Sequence, residues 1–141
     1  MDRAMRNYLI RRYGLGPALT LSTNLAALGG LLIPGLRQIV KQPVFIVGCS
    51  RSGTTLFAEI FGDRPDACNV MDASQVWDLR YYDKAADDHR DENDANFWET
   101  SRIRSSLAIR LLLSGRKRLI NKNNQNSLRL RYLKSVFPDA Y

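Results

Sequence analysis

Residues that bind metals or form disulfides are scarce in this chain of 141 residues, which has two cysteines, Cys49 and Cys68, and one histidine, His89. Two isolated cysteines make neither a zinc pattern nor a disulfide framework, so we expect reduced thiols in a cytoplasmic protein. His89 stands in an acidic run, residues 87–91. Residues so close in sequence rarely all face one ion, so we expect no metal.

Charge is absent from residues 14–36, although four arginines precede this stretch and Arg37 and Lys41 follow it. The stretch is long enough to span a bilayer. Pro17, Pro34, the pair Gly29 and Gly30, and several polar residues interrupt it, and no signal-peptide cleavage pattern follows. We therefore expect residues 1–40 to form a helical arm that packs on the domain or lies peripherally on a membrane. A plain packing arm is the alternative.

The overall composition is that of an ordinary globular domain, with 45% hydrophobic and 25% charged residues, which excludes wholesale disorder. A net charge of +7 and a pI near 9.8 suit binding to a nucleotide, to nucleic acid or to an anionic membrane. The basic run at residues 116–118 comes with no nucleic-acid-binding motif and no regular aromatic interleaving. We therefore expect no nucleic-acid partner.

The most informative segment is residues 44–55, in which four apolar residues lead into a loop of small and hydroxyl residues. Gly48 and Gly53 have the spacing of a phosphate-binding loop between a strand and a helix, which predicts a helix from about Thr54. A nucleoside triphosphatase carries a lysine after the second glycine, whereas here Thr54 takes that place and the cation is Arg51. This arrangement suits a nucleotide that lacks a γ-phosphate and a bridging metal.

The loop resembles that of the sulfotransferase superfamily, which carries Arg-Ser-Gly-Thr-Thr or Lys-Ser-Gly-Thr-Thr after its first strand. The matching residues are Arg51, Ser52, Gly53, Thr54 and Thr55. A second segment strengthens the match, because residues 121–129 and 137–140 are similar to the family's Lys-x-Pro-x-Asn-x-x-Arg run and its Phe-Pro-Asp-Ala turn. Asn124 replaces the usual proline. Together the two segments carry the resemblance across residues 43–141.

The resemblance implies a sulfuryl donor, 3′-phosphoadenosine 5′-phosphosulfate, and in-line transfer to an acceptor hydroxyl or amine without a metal. It implies that residues 52–55 bind the 5′-phosphate and that Arg51 and Lys122 stabilise charge on the bridging oxygen. Asp72 falls where similar members carry a glutamate, so it is the implied general base. The alternative is a helix cap by Asp72 or Ser74.

The predicted fold is α/β, a three-layer, P-loop-like parallel sheet flanked by helices. Strands are predicted from Val44, over residues 67–70 and over residues 119–122, and a helix from Ser101 to Gly115. Because ligands bind at the carboxyl ends of parallel strands, Arg51 and Lys122 are expected to converge on one anion. The acidic and aromatic residues 78–99 predict a long loop with a helix start near Asp94, and this loop either covers the acceptor or is a solvated surface.

Family members continue past the Phe-Pro-Asp-Ala turn into a buried strand and an Arg-Asp-x-Arg segment that holds the donor's 3′-phosphate. No Arg-Asp-x-Arg occurs in this sequence. We therefore expect residues 41–141 to be the N-terminal part of a sulfotransferase domain with an incomplete sheet, and the activity of the chain alone is left open.

Two other functions remain compatible with the residues. A P-loop nucleotide kinase or hydrolase is disfavoured because Thr54 replaces the lysine and no apolar strand ends in an aspartate. A nonenzymatic, anion-binding and membrane-associated module is compatible with the N-terminal arm.

Overall fold

Three short strands form a parallel sheet in the computed structural model of the chain, which describes residues 15–33, 35–77 and 89–141. They are β1 (Val44–Ile46), β2 (Ala67–Met71) and β3 (Arg118–Lys122). The order is β1–β3–β2, so the last strand in sequence lies in the middle. Helices flank the sheet, which confirms the predicted α/β fold with an incomplete parallel sheet.

Five helices accompany the sheet in the described residues, and short 3-10 turns lie between them. The helices are α1 (Leu15–Leu32), α2 (Thr54–Gly62), α3 (Ser74–Trp77), α4 (Phe97–Ser114) and α5 (Leu130–Val136). The 3-10 turns are Leu36–Gln38, Glu92–Asp94 and Asn124–Leu128. Helix α2 begins at Thr54, as the glycine spacing predicts.

Helix α4 begins at Phe97, three residues after the start predicted near Asp94 and four residues before the apolar pattern that begins at Ser101. The Asn96 side chain accepts a 3.0 Å hydrogen bond from the Glu99 amide, which satisfies a donor in the first turn. The predicted end is confirmed, since Gly115 has φ 65° and closes the helix in the left-handed conformation.

The main core lies between the sheet and helices α4 and α5. Its largest fully buried apolar side chains are Trp77, Ile103, Leu107, Leu119, Tyr132 and Phe137. Phe45 of β1 packs edge-on against Trp77 with ring centroids 5.7 Å apart. Asn121 provides partners for two polar groups within this core, because its side chain accepts from Trp77 Nε1 at 3.2 Å and donates to the Val70 carbonyl at 2.6 Å.

Helix α2 contacts the sheet through a narrow strip. Only Thr54 and Ala58 are buried in it, and its large apolar residues, Leu56, Phe57, Ile60 and Phe61, are exposed. The apolar pattern predicted a helix lying on the sheet, and the helix does contact all three strands. The helix nevertheless buries little of its bulky apolar surface against the sheet.

The outer edge of β1 is paired at one point in the described residues. Tyr141 donates its amide to the Pro43 carbonyl at 3.0 Å, and its carbonyl accepts from the Phe45 amide at 2.9 Å. These two bonds follow the parallel pattern of the β1–β3 ladder. The backbone of β1 is thus bonded on both sides.

Half of the acidic and aromatic segment predicted to form a loop, residues 78–88, lies outside the described residues. In the part of the chain that is described, no helix combines the length and apolar content that a membrane crossing needs.

Candidate active site

The carboxyl ends of all three strands meet at one edge of the sheet. Lys122, the last residue of β3, pairs with Ile46 at the end of β1 and with Met71 at the end of β2. The loops that leave β1 and β2 therefore start on either side of Lys122. This is the edge where parallel α/β sheets bind ligands.

The loop between β1 and α2 is folded tightly on itself. Ser52 bonds to the Cys49 carbonyl twice, through its amide at 3.3 Å and its hydroxyl at 2.6 Å. Arg51 and Gly53 both adopt left-handed conformations, with φ 67° and 85°. Left-handed residues in a tight loop turn consecutive amides toward one side, and such concavities bind anions.

The tight loop between β1 and α2 requires a glycine at position 48. A Cβ at this position would lie 2.9 Å from Thr54 Cγ2 and 3.1 Å from Ser52 Oγ. No larger residue fits unless the start of α2 moves. The first glycine of the motif therefore allows the loop to close over the end of β1.

Asn124 fastens this loop to the turn after β3. Thr54 donates its hydroxyl to Asn124 Oδ1 at 3.0 Å, and Asn124 Nδ2 lies 3.5 Å from Ser50 Oγ as a long, weak donor. In the sequence, Asn124 is only a departure from the proline of the family-like run. Its role depends on the placement of β3 beside β1, which the local sequence does not reveal.

Lys122 and Asp72 form an ion pair at the adjoining strand ends. Lys122 Nζ lies 3.1 Å from Asp72 Oδ1 and 3.4 Å from Oδ2. The Asp72 amide also donates to the Lys122 carbonyl at 2.8 Å. The lysine side chain is 7% exposed and the aspartate side chain 62% exposed. The cation is thus enclosed, and the carboxylate is open to solvent.

Asp72 is held in an unusual backbone conformation, with φ 43°. Aspartate tolerates the left-handed region better than most residues, although at some energetic cost. The conformation turns the chain sharply out of β2, and the carboxylate lies against Lys122. The sequence predicted Asp72 as a site residue because it falls where similar family members carry a glutamate. The contact between Asp72 and Lys122 is seen only in the structure.

The remaining predicted site residues lie along the loop and the first turn of α2. Arg51, Ser52, Gly53 and Thr55 are exposed, while Thr54 is buried. Arg51 makes no hydrogen bond or ion pair with other described residues, so its guanidinium is available to a ligand. Their roles in binding and catalysis stay predictions.

Cys49 has an exposed thiol in the loop, and Cys68 is buried within β2. Within residues 15–33, 35–77 and 89–141, no group of acidic, histidine or cysteine side chains is arranged to hold a metal ion.

The family model described as Sulfotransferase family matches residues 43–141, which include the loop, Asp72 and Lys122. The chain belongs to the sulfotransferase family. No curated protein and no solved structure matches it significantly. In this sulfotransferase the family-matched region therefore contains the whole strand-end arrangement described above, with the glycine loop on one side of Lys122 and Asp72 on the other.

Proposed function

We propose that this sulfotransferase binds 3′-phosphoadenosine 5′-phosphosulfate at the loop after β1 and transfers its sulfuryl group to an acceptor hydroxyl or amine. The observation that carries the proposal is the position of Lys122. It is an enclosed cation at the end of the central strand, between a phosphate-type loop and an exposed carboxylate.

The loop suits the 5′-phosphate of the donor. Helix α2 starts at Thr54, directly after left-handed Gly53, so its first amides lack partners within the helix. Such amides and the helix dipole favour an anion. The amides of residues 52–55 would hold the phosphate, and the exposed Thr55 hydroxyl would add a hydrogen bond. The Thr54 hydroxyl is already engaged with Asn124.

Two cations are available for the charge that develops during transfer. As the bond between sulfur and the bridging oxygen breaks, negative charge collects on that oxygen. Arg51, exposed in the loop, and Lys122, at the end of β3, would stabilise this charge. Lys122 is held in place by Asp72, so it needs little rearrangement to act.

Asp72 would accept the acceptor's proton while the acceptor oxygen or nitrogen forms its bond to sulfur. Its carboxylate is 62% exposed, which leaves room for an acceptor on the side away from Lys122.

The test is calorimetric titration of the purified chain with 3′-phosphoadenosine 5′-phosphate, with ATP–magnesium as the comparison. We expect saturable binding of the bisphosphate and no comparable binding of ATP–magnesium. Arg51→Ala should weaken bisphosphate binding by about tenfold or more, the usual range for a charge-assisted contact.

Arg64→Ala is the matched control. Arg64 is an exposed arginine that pairs with Asp66 at 3.1 Å and lines a cavity of about 360 Å³ with the first residues of all three strands. It therefore lies at the opposite end of the sheet, and its removal should leave binding unchanged. Equal loss in the two variants would show a nonspecific charge effect. Tight binding of ATP–magnesium would favour a nucleotide kinase or hydrolase instead.

A further inference from the structure

Helix α1 carries a stripe of exposed leucines on one face. Leu21, Leu25, Leu28 and Leu32 are 60%, 56%, 44% and 78% exposed. Their spacing of four, three and four residues keeps them within an arc of about 60° around the helix axis. The stripe is therefore a continuous apolar surface along most of α1, and not a scatter of single residues.

The opposite face of α1 is the one that packs on the domain. Ala26 and Gly30 are buried, and a Cβ at Gly30 would collide with the Ser105 side chain of α4. Small residues on this face let the two helices approach closely. The leucine stripe thus points away from α4 while the small residues hold the helix to it.

The charged residues that flank α1 most closely in sequence are all basic. Between Asp2 and Glu59 the sequence contains no acidic residue, whereas six basic residues precede or follow α1 within the first 41 residues. Among the described ones, Lys41 is exposed, and the Arg37 guanidinium lies 5.0 Å from the ring centroid of Phe97. Phe97 is itself 64% exposed. The sequence on both sides of α1 is therefore basic and, between Asp2 and Glu59, free of acidic residues.

From these observations we propose that α1 lies on anionic lipid surfaces, with its leucine stripe in the acyl boundary and the flanking basic residues on the headgroups. An interfacial helix combines one apolar face with flanking cations. A second copy of the chain is the poorer occupant, because pairing two α1 stripes would bring together two acid-free, basic segments. Over its described residues, α1 lacks the length and apolar content that a membrane crossing needs.

The test is co-sedimentation of the full chain with vesicles. Phosphatidylcholine vesicles with about 30% phosphatidylserine are compared with pure phosphatidylcholine vesicles, at low and high salt. We expect binding to the anionic vesicles only, weakened by high salt. Leu25→Glu places an acid in the stripe and should reduce vesicle binding by about tenfold or more.

Leu128→Glu is the matched control, since Leu128 is also 56% exposed but belongs to the 3-10 turn after β3. It should retain binding within about twofold of the parent. Circular dichroism confirms that both variants fold, and sedimentation velocity without lipid reports self-association. The proposal is overturned if the chain does not bind vesicles or binds neutral vesicles equally well. It is also overturned if both variants lose the same amount of vesicle binding, or if the chain forms a dimer that only Leu25→Glu dissociates. The result does not depend on nucleotide binding at the strand ends.

Discussion

The hydroxyl of Thr54 donates a 3.0 Å hydrogen bond to Asn124 Oδ1, across 70 residues of sequence. Thr54 opens the helix after the phosphate-type loop, and Asn124 opens the turn after β3. In the family's usual pattern a proline stands at position 124, and a proline side chain accepts no hydrogen bond. This chain therefore replaces a rigid turn residue with one that joins the two halves of the site.

Thr54→Val and Asn124→Ala should be energetically coupled. Each removes one partner of the same part-buried bond, so the double variant should be less destabilised than the sum of the two by about 1 kcal/mol. The free energy of unfolding in urea measures this coupling. Thr55→Val, at the exposed neighbour of Thr54, should be additive with Asn124→Ala. If the effects of Thr54→Val and Asn124→Ala simply add, the hydrogen bond between the two side chains contributes nothing to stability.

Asp72→Asn should strengthen bisphosphate binding while it weakens the fold. Asparagine also tolerates the backbone conformation of Asp72, with φ 43°, so the change mainly removes negative charge beside Lys122. We expect affinity for 3′-phosphoadenosine 5′-phosphate to rise by about threefold and stability to fall by roughly 1 kcal/mol. Calorimetric titration and thermal unfolding measure the two effects.

Asp66→Asn is the control for that substitution. Asp66 pairs with Arg64 at the opposite end of the sheet, and this hydrogen bond lowers the pKa of the Asp66 carboxyl. Its neutralisation changes the net charge of the protein equally, so it should leave nucleotide affinity unchanged. A similar rise in affinity for both variants would assign the effect to net charge rather than to Lys122.

Gly48→Ala should destabilise the protein and abolish bisphosphate binding. The new methyl group would meet Thr54 Cγ2 at 2.9 Å, and we expect a loss of about 1–3 kcal/mol from this overpacking. Gly29→Ala is the contrasting change, because a Cβ there meets Leu36 Cδ2 at 3.7 Å, an ordinary contact. It should stabilise α1 by about 0.5–1 kcal/mol. The free energy of unfolding in urea distinguishes the two variants. An unchanged value for Gly48→Ala would mean that the loop is less tightly closed.

Glu99→Ala should be among the most damaging single substitutions. Glu99 bonds to Arg102 at 2.6 Å, and the two side chains are 1% and 2% exposed. Removal of the carboxylate leaves a buried guanidinium without its counter-charge, which costs about 3–5 kcal/mol. Glu59→Ala, on the exposed surface of α2, should change stability by less than about 0.5 kcal/mol. Thermal unfolding provides the comparison, and equal melting temperatures would contradict the expectation.

The sequence predicted the elements whose signals are local. The start of α2 follows from Gly53 and Thr54, and the end of α4 follows from Gly115, because glycine at these places permits left-handed conformations. The strand predicted over residues 67–70 is one residue longer in the structure. The parallel arrangement followed from alternation of strands and helices.

The site was predictable in its parts but not in its contacts. Arg51 was predicted from its place in the glycine loop, Lys122 from its place at a strand end and in the family-like run, and Asp72 from the family resemblance. The contact between Lys122 and Asp72 depends on β3 lying between β1 and β2, and strand order is a long-range property that local patterns do not encode. The same reason explains why Asn124 was seen only as a departure from a motif.

The two tryptophans give the molecule separate optical reporters. Trp77 is fully enclosed and hydrogen-bonded to Asn121, so its fluorescence emission reports on the sheet and its core. Trp98, in the first turn of α4, is 37% exposed and is accessible to a soluble quencher. Acrylamide should therefore quench one population strongly and spare the other, and a Trp98→Phe variant would leave an emission that follows the sheet alone.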